Sequence, residues 1–278
     1  MSDTVAAIKV MTMTSERTSQ QAFFGTSALL FLTSAAATTV WCGSMSSMRE
    51  MPMPGGWTMS MTWIPMLGQT WLIATASFVA MWVVMMVAMM LPTLVPTLWR
   101  YRQTLANNDE TRPSWLTAVA GIAYFFVWTV FGIILFPMGA TLSEVEMHRP
   151  ALARVVPIAV GMVVVAAGAL QFTAWKALHL ASCRKSLGGK RRLPADAGRA
   201  WRDGLHLGLH CTYDCVGFTA ILLVVGVMDL HVMALVTAAI TAERLAPNGE
   251  RIARAIGIVV VGIGILFIAR AAAGLLAS

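Results

Sequence analysis

The sequence predicts an all-α fold, a polytopic transmembrane helical bundle of about seven spans, with six possible. Three observations predict it. Of the 278 residues, 58% are hydrophobic and only 12% are charged, where soluble domains run near roughly a quarter charged. The mean hydropathy of +0.71 is too apolar to hide in one core, so lipid must be the solvent. The apolar runs approach the roughly 20 residues that cross a hydrocarbon layer, far beyond the alternating segments of about ten that a membrane barrel uses. Helices and closed barrels alone satisfy every backbone group in lipid, which leaves a helical bundle.

The spans fall near residues 22–42, 70–99, 115–140, 154–180, 205–227, 229–245 and 252–275. The first follows Lys9 and Arg17 and contains the small residues Ala35 to Ala37. Its apolar stretch exceeds the h-region of a signal peptide, so it reads as an uncleaved anchor. The second ends in Leu91-Pro92 and Val95-Pro96; each proline removes a backbone hydrogen bond and bends the helix. The sixth is close to the lower length limit, and only the short break between Val227 and Val232 separates it from the fifth.

Basic residues orient the spans. All of the 20 Lys and Arg except Arg49, Arg149, Arg154 and Arg270 fall on one side. This predicts a multi-pass protein with a cytoplasmic amino terminus and an outer carboxyl terminus. The chain reads as one integral membrane domain over 1–278, with a Met-rich outer loop at 43–69 and a basic inner loop at 181–203. The net charge of +7 is mostly this orientation signal, aided by contact with anionic lipid headgroups. Nucleic-acid binding is set aside, since no segment is long enough for a basic soluble module.

The outer loop carries Met45, Met48, Met51, Met53, Met59, Met61 and Met66 in a polar setting. Thioether is a soft, uncharged ligand that selects Cu(I), and copper capture is the leading reading. Apolar filler at the lipid interface is the alternative. In the second span Met81, Met85 and Met89 repeat at i, i+4, i+8, with Met86 and Met90 in a second row. That spacing fits helix packing first and a relay for a soft ion second.

The densest group of polar side chains opens the fifth span, in G-L-H-L-G-L-H-C-T-Y-D-C. His206, His210 and Asp214 share one helix face, and Cys211 and Cys215 share the adjoining one. Ionisable groups inside a membrane point to function, and thiolate, imidazole and carboxylate together suit a transition metal. At the end of the fourth span His179 and Cys183 stand i, i+4, after Trp175 and Lys176. If both helices run straight, Cys211 lies about 9 Å deeper than His179. A tilt, a longer fifth helix or two separate sites would each reconcile them. Glu243 and Arg244 are expected to pair locally at the end of the sixth span. His231 reads as an interfacial histidine.

These stretches resemble a bacterial family, domain of unknown function 2182, described as predicted metal-binding integral membrane proteins. The resemblance covers most of the chain from the second span onward. It rests on M-W-V-V-M-M-V-A-M-M-L-P at Met81 to Pro92, L-Q-F-T-A-W-K-A-L-H-L-A-S-C-R at Leu170 to Arg184, G-L-H-C-T-Y-D-C, V-G-V-M-D-L, and A-E-R-L at Ala242 to Leu245. It implies metal binding through two cysteines four apart and a C-x-x-C-C group. By position these are His179 and Cys183, then Cys211, Asp214 and Cys215. His179 and Asp214 stand where the family tends to have thiols, which hardens the site and keeps Zn²⁺ or Cu²⁺ beside Cu(I).

The expectation is therefore a copper-handling membrane protein, with zinc as the alternative ion. Its partners would be lipid, the metal ion and a periplasmic metal carrier or cuproenzyme. A haem protein using two of His179, His206 and His210 is a rival, as is a non-catalytic structural subunit. No nucleophile with a base partner suggests an enzyme, and the lack of a P-loop argues against primary pumping by this chain alone.

Overall fold

The computed structural model describes residues 2–46, 51–53, 57–59, 63, 70–106, 112–176, 178 and 196–277. Among the described residues seven complete helices carry the fold: α1 Ser2–Ser46, α2 Trp71–Ala106, α3 Pro113–His148, α4 Pro150–Leu170, α5 Ala197–Val225, α6 Leu230–Leu245 and α7 Gly249–Ala277. Six of them contain stretches long and apolar enough to cross a membrane. The exception is α6, whose 16 residues span about 24 Å, short of the roughly 30 Å hydrocarbon layer. The described residues thus hold six helices of spanning length and one short helix, beside the expectation of about seven spans. The only strands among the described residues are β1 Met51–Met53 and β2 Trp57–Met59. They pair antiparallel with Met51 opposite Met59, so a small hairpin interrupts the segment expected to be loop.

Local chemistry sets the helix ends. Pro113 and Pro150 open α3 and α4, where the missing N–H has no intrahelical partner to lose. Asp229 caps α6 by accepting from the backbone N–H groups of His231 and Val232 at 2.8 and 3.2 Å. Gly226, at φ 153°, makes the turn from α5 to α6 in a conformation that side chains disfavour. His231 lies exposed beside Asp229.

The fourth span differs from the expectation of 154–180: α4 stops at Leu170. Successive i→i+3 bonds from the N–H groups of Gln171, Phe172 and Thr173 tighten its last turn. The Thr173 hydroxyl then donates to Leu170 O at 2.7 Å and accepts from the Lys176 N–H at 3.3 Å, so it ends one helix and caps the next turn. The fifth helix is longer than expected and begins at Ala197. Cys211 thus stands at the midpoint of a 29-residue helix.

Close backbone approach aligns α5 with α3. Gly204 lies against the Ala120 carbonyl and Gly208 against that of Tyr124, an offset that repeats only if the two helices run parallel. A side chain at either glycine would force them apart. Trp63 packs over Gly139 and lies tilted against Phe78 at 5.2 Å between centroids, at the end of the bundle from which α2 starts. The main core holds Met81, Met85, Met86, Met89, Met90, Cys211 and Cys215 beside Trp82, Trp128 and Phe136. Apolar side chains such as Leu72, Leu235 and Ile258 face outward, as lipid requires.

Candidate metal centre

The methionine row of α2 faces the core, not the lipid. Met81, Met85, Met86, Met89 and Met90 are all buried, and from Met81 to Met90 they cover about 14 Å of helix. The Met90 end of this row meets α5: Cys211 Sγ lies 3.9 Å from Met90 Sδ. Tyr124 Oη is 2.8 Å from the same sulfur, held there by the glycine-mediated approach of α3 and α5. Cys215 stands one turn further along α5, on the same helix face as Cys211. Both thiols are free and buried. Two thiols and a thioether therefore converge at mid-helix depth.

A compact ion network surrounds them. Arg244 contacts Asp214 Oδ2 through Nε and Nη2, each at 3.1 Å. Its Nη2 also reaches Cys215 Sγ at 3.4 Å and the Cys211 carbonyl at 3.5 Å. On the opposite side of the carboxylate, Lys176 Nζ lies 3.1 Å from Asp214 Oδ1 and donates to the Asp214 carbonyl at 2.8 Å. The same ammonium sits 2.9 Å from Glu243 Oε2 and 5.3 Å over the Phe218 ring. The four formal charges cancel, and Lys176, Asp214 and Glu243 are nearly inaccessible. The local Glu243–Arg244 pairing expected from sequence is replaced by longer reaches, Glu243 to Lys176 and Arg244 to Asp214. Adjacent residues on a helix point about 100° apart, so each finds a partner on a different neighbour.

The other expected ligands scatter. His206 is exposed and His210 half-buried, their rings lying side by side along α5 with centroids 5.2 Å apart. Asp214 shares the buried region but has both oxygens against cations. Among the described residues no three of His, Cys, Asp and Glu converge on one point. His179 and Cys183 lie outside the described residues, as do Met48, Met61 and Met66. Met45 is in α1, and Met51, Met53 and Met59 are in the hairpin. A second sulfur pair stands near the hairpin end, with Cys42 Sγ 3.9 Å from Met228 Sδ.

Sequence reasoning missed Tyr124 altogether and placed Met90 only in a secondary row. Lys176, Glu243 and Arg244 gave a usable signal, since an ionisable residue in an apolar run needs a partner. Tyr124 gave none, because nothing in its own surroundings marks the partner on α5.

Among the described residues, six helices long and apolar enough to cross a membrane pack with a buried group of two thiols and a thioether, which is the build of a membrane protein. Over residues 79–267 the chain matches the PpoB2 family, described as copper chaperone. It belongs to that copper chaperone family. The matched region contains the α2 methionine row, the α5 thiols and all four charges of the network. No curated protein and no solved structure matches the chain.

Proposed function

We propose that this chain carries Cu(I) across part of a bacterial inner membrane and hands it on, with Cys211, Cys215 and Met90 as the holding site. The observation that carries the reading is the contact between Cys211 and Met90 beside Cys215, in the core of a chain from a copper chaperone family. Thiolate and thioether donors select Cu(I), and among the described residues no three of His, Cys, Asp and Glu converge as Zn²⁺ would favour. The resemblance to domain of unknown function 2182 points the same way.

In this reading the methionines of 43–69 collect the ion at the outer face. Cys42 and Met228 lie near that end, and the row from Met81 to Met90 leads toward Cys211. Soft, neutral thioethers exchange a monovalent ion without holding it tightly, which suits a relay. Binding by both thiols follows Cu⁺ + 2 RSH → [Cu(SR)₂]⁻ + 2 H⁺, and Arg244 stands beside the resulting negative charge. The loop charges orient the amino terminus to the cytoplasm, and the ion's recipient would be a metal carrier or cuproenzyme. No catalytic step is proposed. His206 and His210 lie side by side on one helix, a poor arrangement for two axial ligands on opposite faces of one haem.

The test is the metal content of detergent-purified protein after anaerobic loading with Cu(I) or Zn²⁺. Wild type should retain about one Cu(I) per chain, and the Cys211→Ser/Cys215→Ser variant should lose it. Retention of zinc alone, or copper content unchanged in the variant, would refute the assignment.

A further inference from the structure

Tyr124 and Arg244 touch the thiol sulfurs on one side and line a cavity of about 260 Å³ on another. Its wall includes Thr93, Thr97, Arg100, Tyr124, Arg244 and Pro247. Exposure grades along it: Arg100 and Pro247 are exposed, while Thr93 and Tyr124 are buried. The mouth therefore lies where α2 and α6 end, opposite the hairpin, and the floor lies against the residues that cover Cys211 and Cys215.

The wall has a definite charge. Among the described residues it holds two guanidinium groups and no carboxylate. Arg244 is shared with Asp214, but Arg100 has no carboxylate partner among the described residues. The threonine hydroxyls donate to their own helix, Thr93 to Met90 O at 2.9 Å and Thr97 to Thr93 O at 3.3 Å, so they offer the cavity only acceptors. A pocket with two cations at its rim and floor, and hydroxyl oxygens between, fits a small anion that also carries an N–H donor. Its volume is below the range of most drug-sized sites, so the occupant is small.

We propose that this cavity binds a small carboxylate-bearing thiol, which draws Cu(I) from Cys211 and Cys215. The thiol half of the proposal rests on the copper reading, because a soft acceptor is what removes Cu(I) from sulfur. The anion half rests on the cavity alone. The transfer is a ligand exchange without redox change. A sulfur–copper bond to the acceptor forms as a cysteine–copper bond breaks, and the acceptor's thiol proton passes to the departing cysteine.

The experiment uses the full chain in detergent. Copper-free protein is dialysed against radiolabelled S-methyl-N-acetylcysteine, which keeps the carboxylate and amide and lacks the thiol. Saturable binding of about one probe per chain is expected, weakened about ten-fold by Arg100→Gln and abolished by Thr97→Trp, which fills the cavity. Absent saturation, or binding equal in wild type and both variants, overturns the site. Displacement by inorganic phosphate as effective as by unlabelled probe also overturns it, in favour of a phosphate or lipid-headgroup site. Copper-loaded protein is then challenged with N-acetylcysteine and with its uncharged analogue N-acetylcysteamine. Release should saturate with the acid alone, and Arg100→Gln should make the two thiols alike; equal release by both from wild type overturns the acceptor role. A chain that binds the probe but no copper supports the anion site and sinks the copper reading. A chain that holds copper on its thiols without binding the probe does the reverse.

Discussion

Removing Lys176 leaves two carboxylates in the core with one cation between them. In Lys176→Met, Glu243 loses the ammonium 2.9 Å away and Asp214 loses one of its two partners. Glu243 is 1% exposed, so water cannot replace the lost contact. Breaking a buried pair from one side costs about 3–5 kcal/mol, chiefly through the charge left unpaired. For a chain of this size each kcal/mol shifts a thermal midpoint by about 2–4 °C, so Lys176→Met should lower it by about 6–20 °C. Adding Glu243→Gln removes the carboxylate that lost the ammonium and returns the four-group sum to zero. The double variant should recover at least half of the loss, giving a coupling of about 2 kcal/mol or more. The assay is thermal unfolding of detergent-purified protein at fixed scan rate and pH 7, for wild type, both single variants and the double. Additive losses would refute the buried pair, as would a Lys176→Met midpoint within 2 °C of wild type.

Three further variants probe separate links. Met90→Leu keeps volume, so its stability should fall by under about 1.5 kcal/mol, while Cu(I) affinity drops about ten-fold in competition titrations with a chromogenic chelator. Gly204→Ala places a methyl against the Ala120 carbonyl; overpacking should cost about 1–3 kcal/mol and, by moving α3, weaken Cu(I) retention as well. Tyr124→Phe removes the hydroxyl beside Cys211 and should alter copper release more than stability, read by stopped-flow transfer to the same chelator.

The bundle was legible because apolar length is a one-dimensional property: six of the seven expected spans reappear as long helices. The fourth boundary was not, since Thr173 reads as one more tolerable residue in an apolar run. Only its two hydrogen bonds, back to Leu170 and on from Lys176, reveal a stop and a new cap. Cys211 and Cys215 were legible as a chemical cluster, yet their partner was not. Helical spacing says that Met86 and Met90 share a row, and cannot say which row meets α5. Asp214 illustrates the converse: its position and type suit a ligand, and the fold surrounds it with Lys176 and Arg244.

The ion network and the sulfur site are best understood as one charge problem. Two thiolates holding Cu(I) carry a net charge of −1, costly in a low-dielectric core unless a cation stands near. Four charges that already cancel would not help if they were independent of the sulfurs. Arg244 makes the link, because one guanidinium touches both Asp214 and Cys215 Sγ. Its share between carboxylate and sulfur can shift as the sulfur gains charge. Replacing it should therefore hurt loaded protein more than empty protein. Hydrogen bonds to charged groups are worth about 1.5–3 kcal/mol, so Arg244→Gln should weaken Cu(I) binding by about 10- to 100-fold. Arg244→Lys keeps the charge without the planar fork and should fall between the two. The readout is Cu(I) affinity by chelator competition, paired with the thermal midpoint of loaded and copper-free forms. If Arg244→Gln lowers both midpoints equally and leaves affinity unchanged, the arginine serves the fold alone and the coupling of charge to copper is wrong.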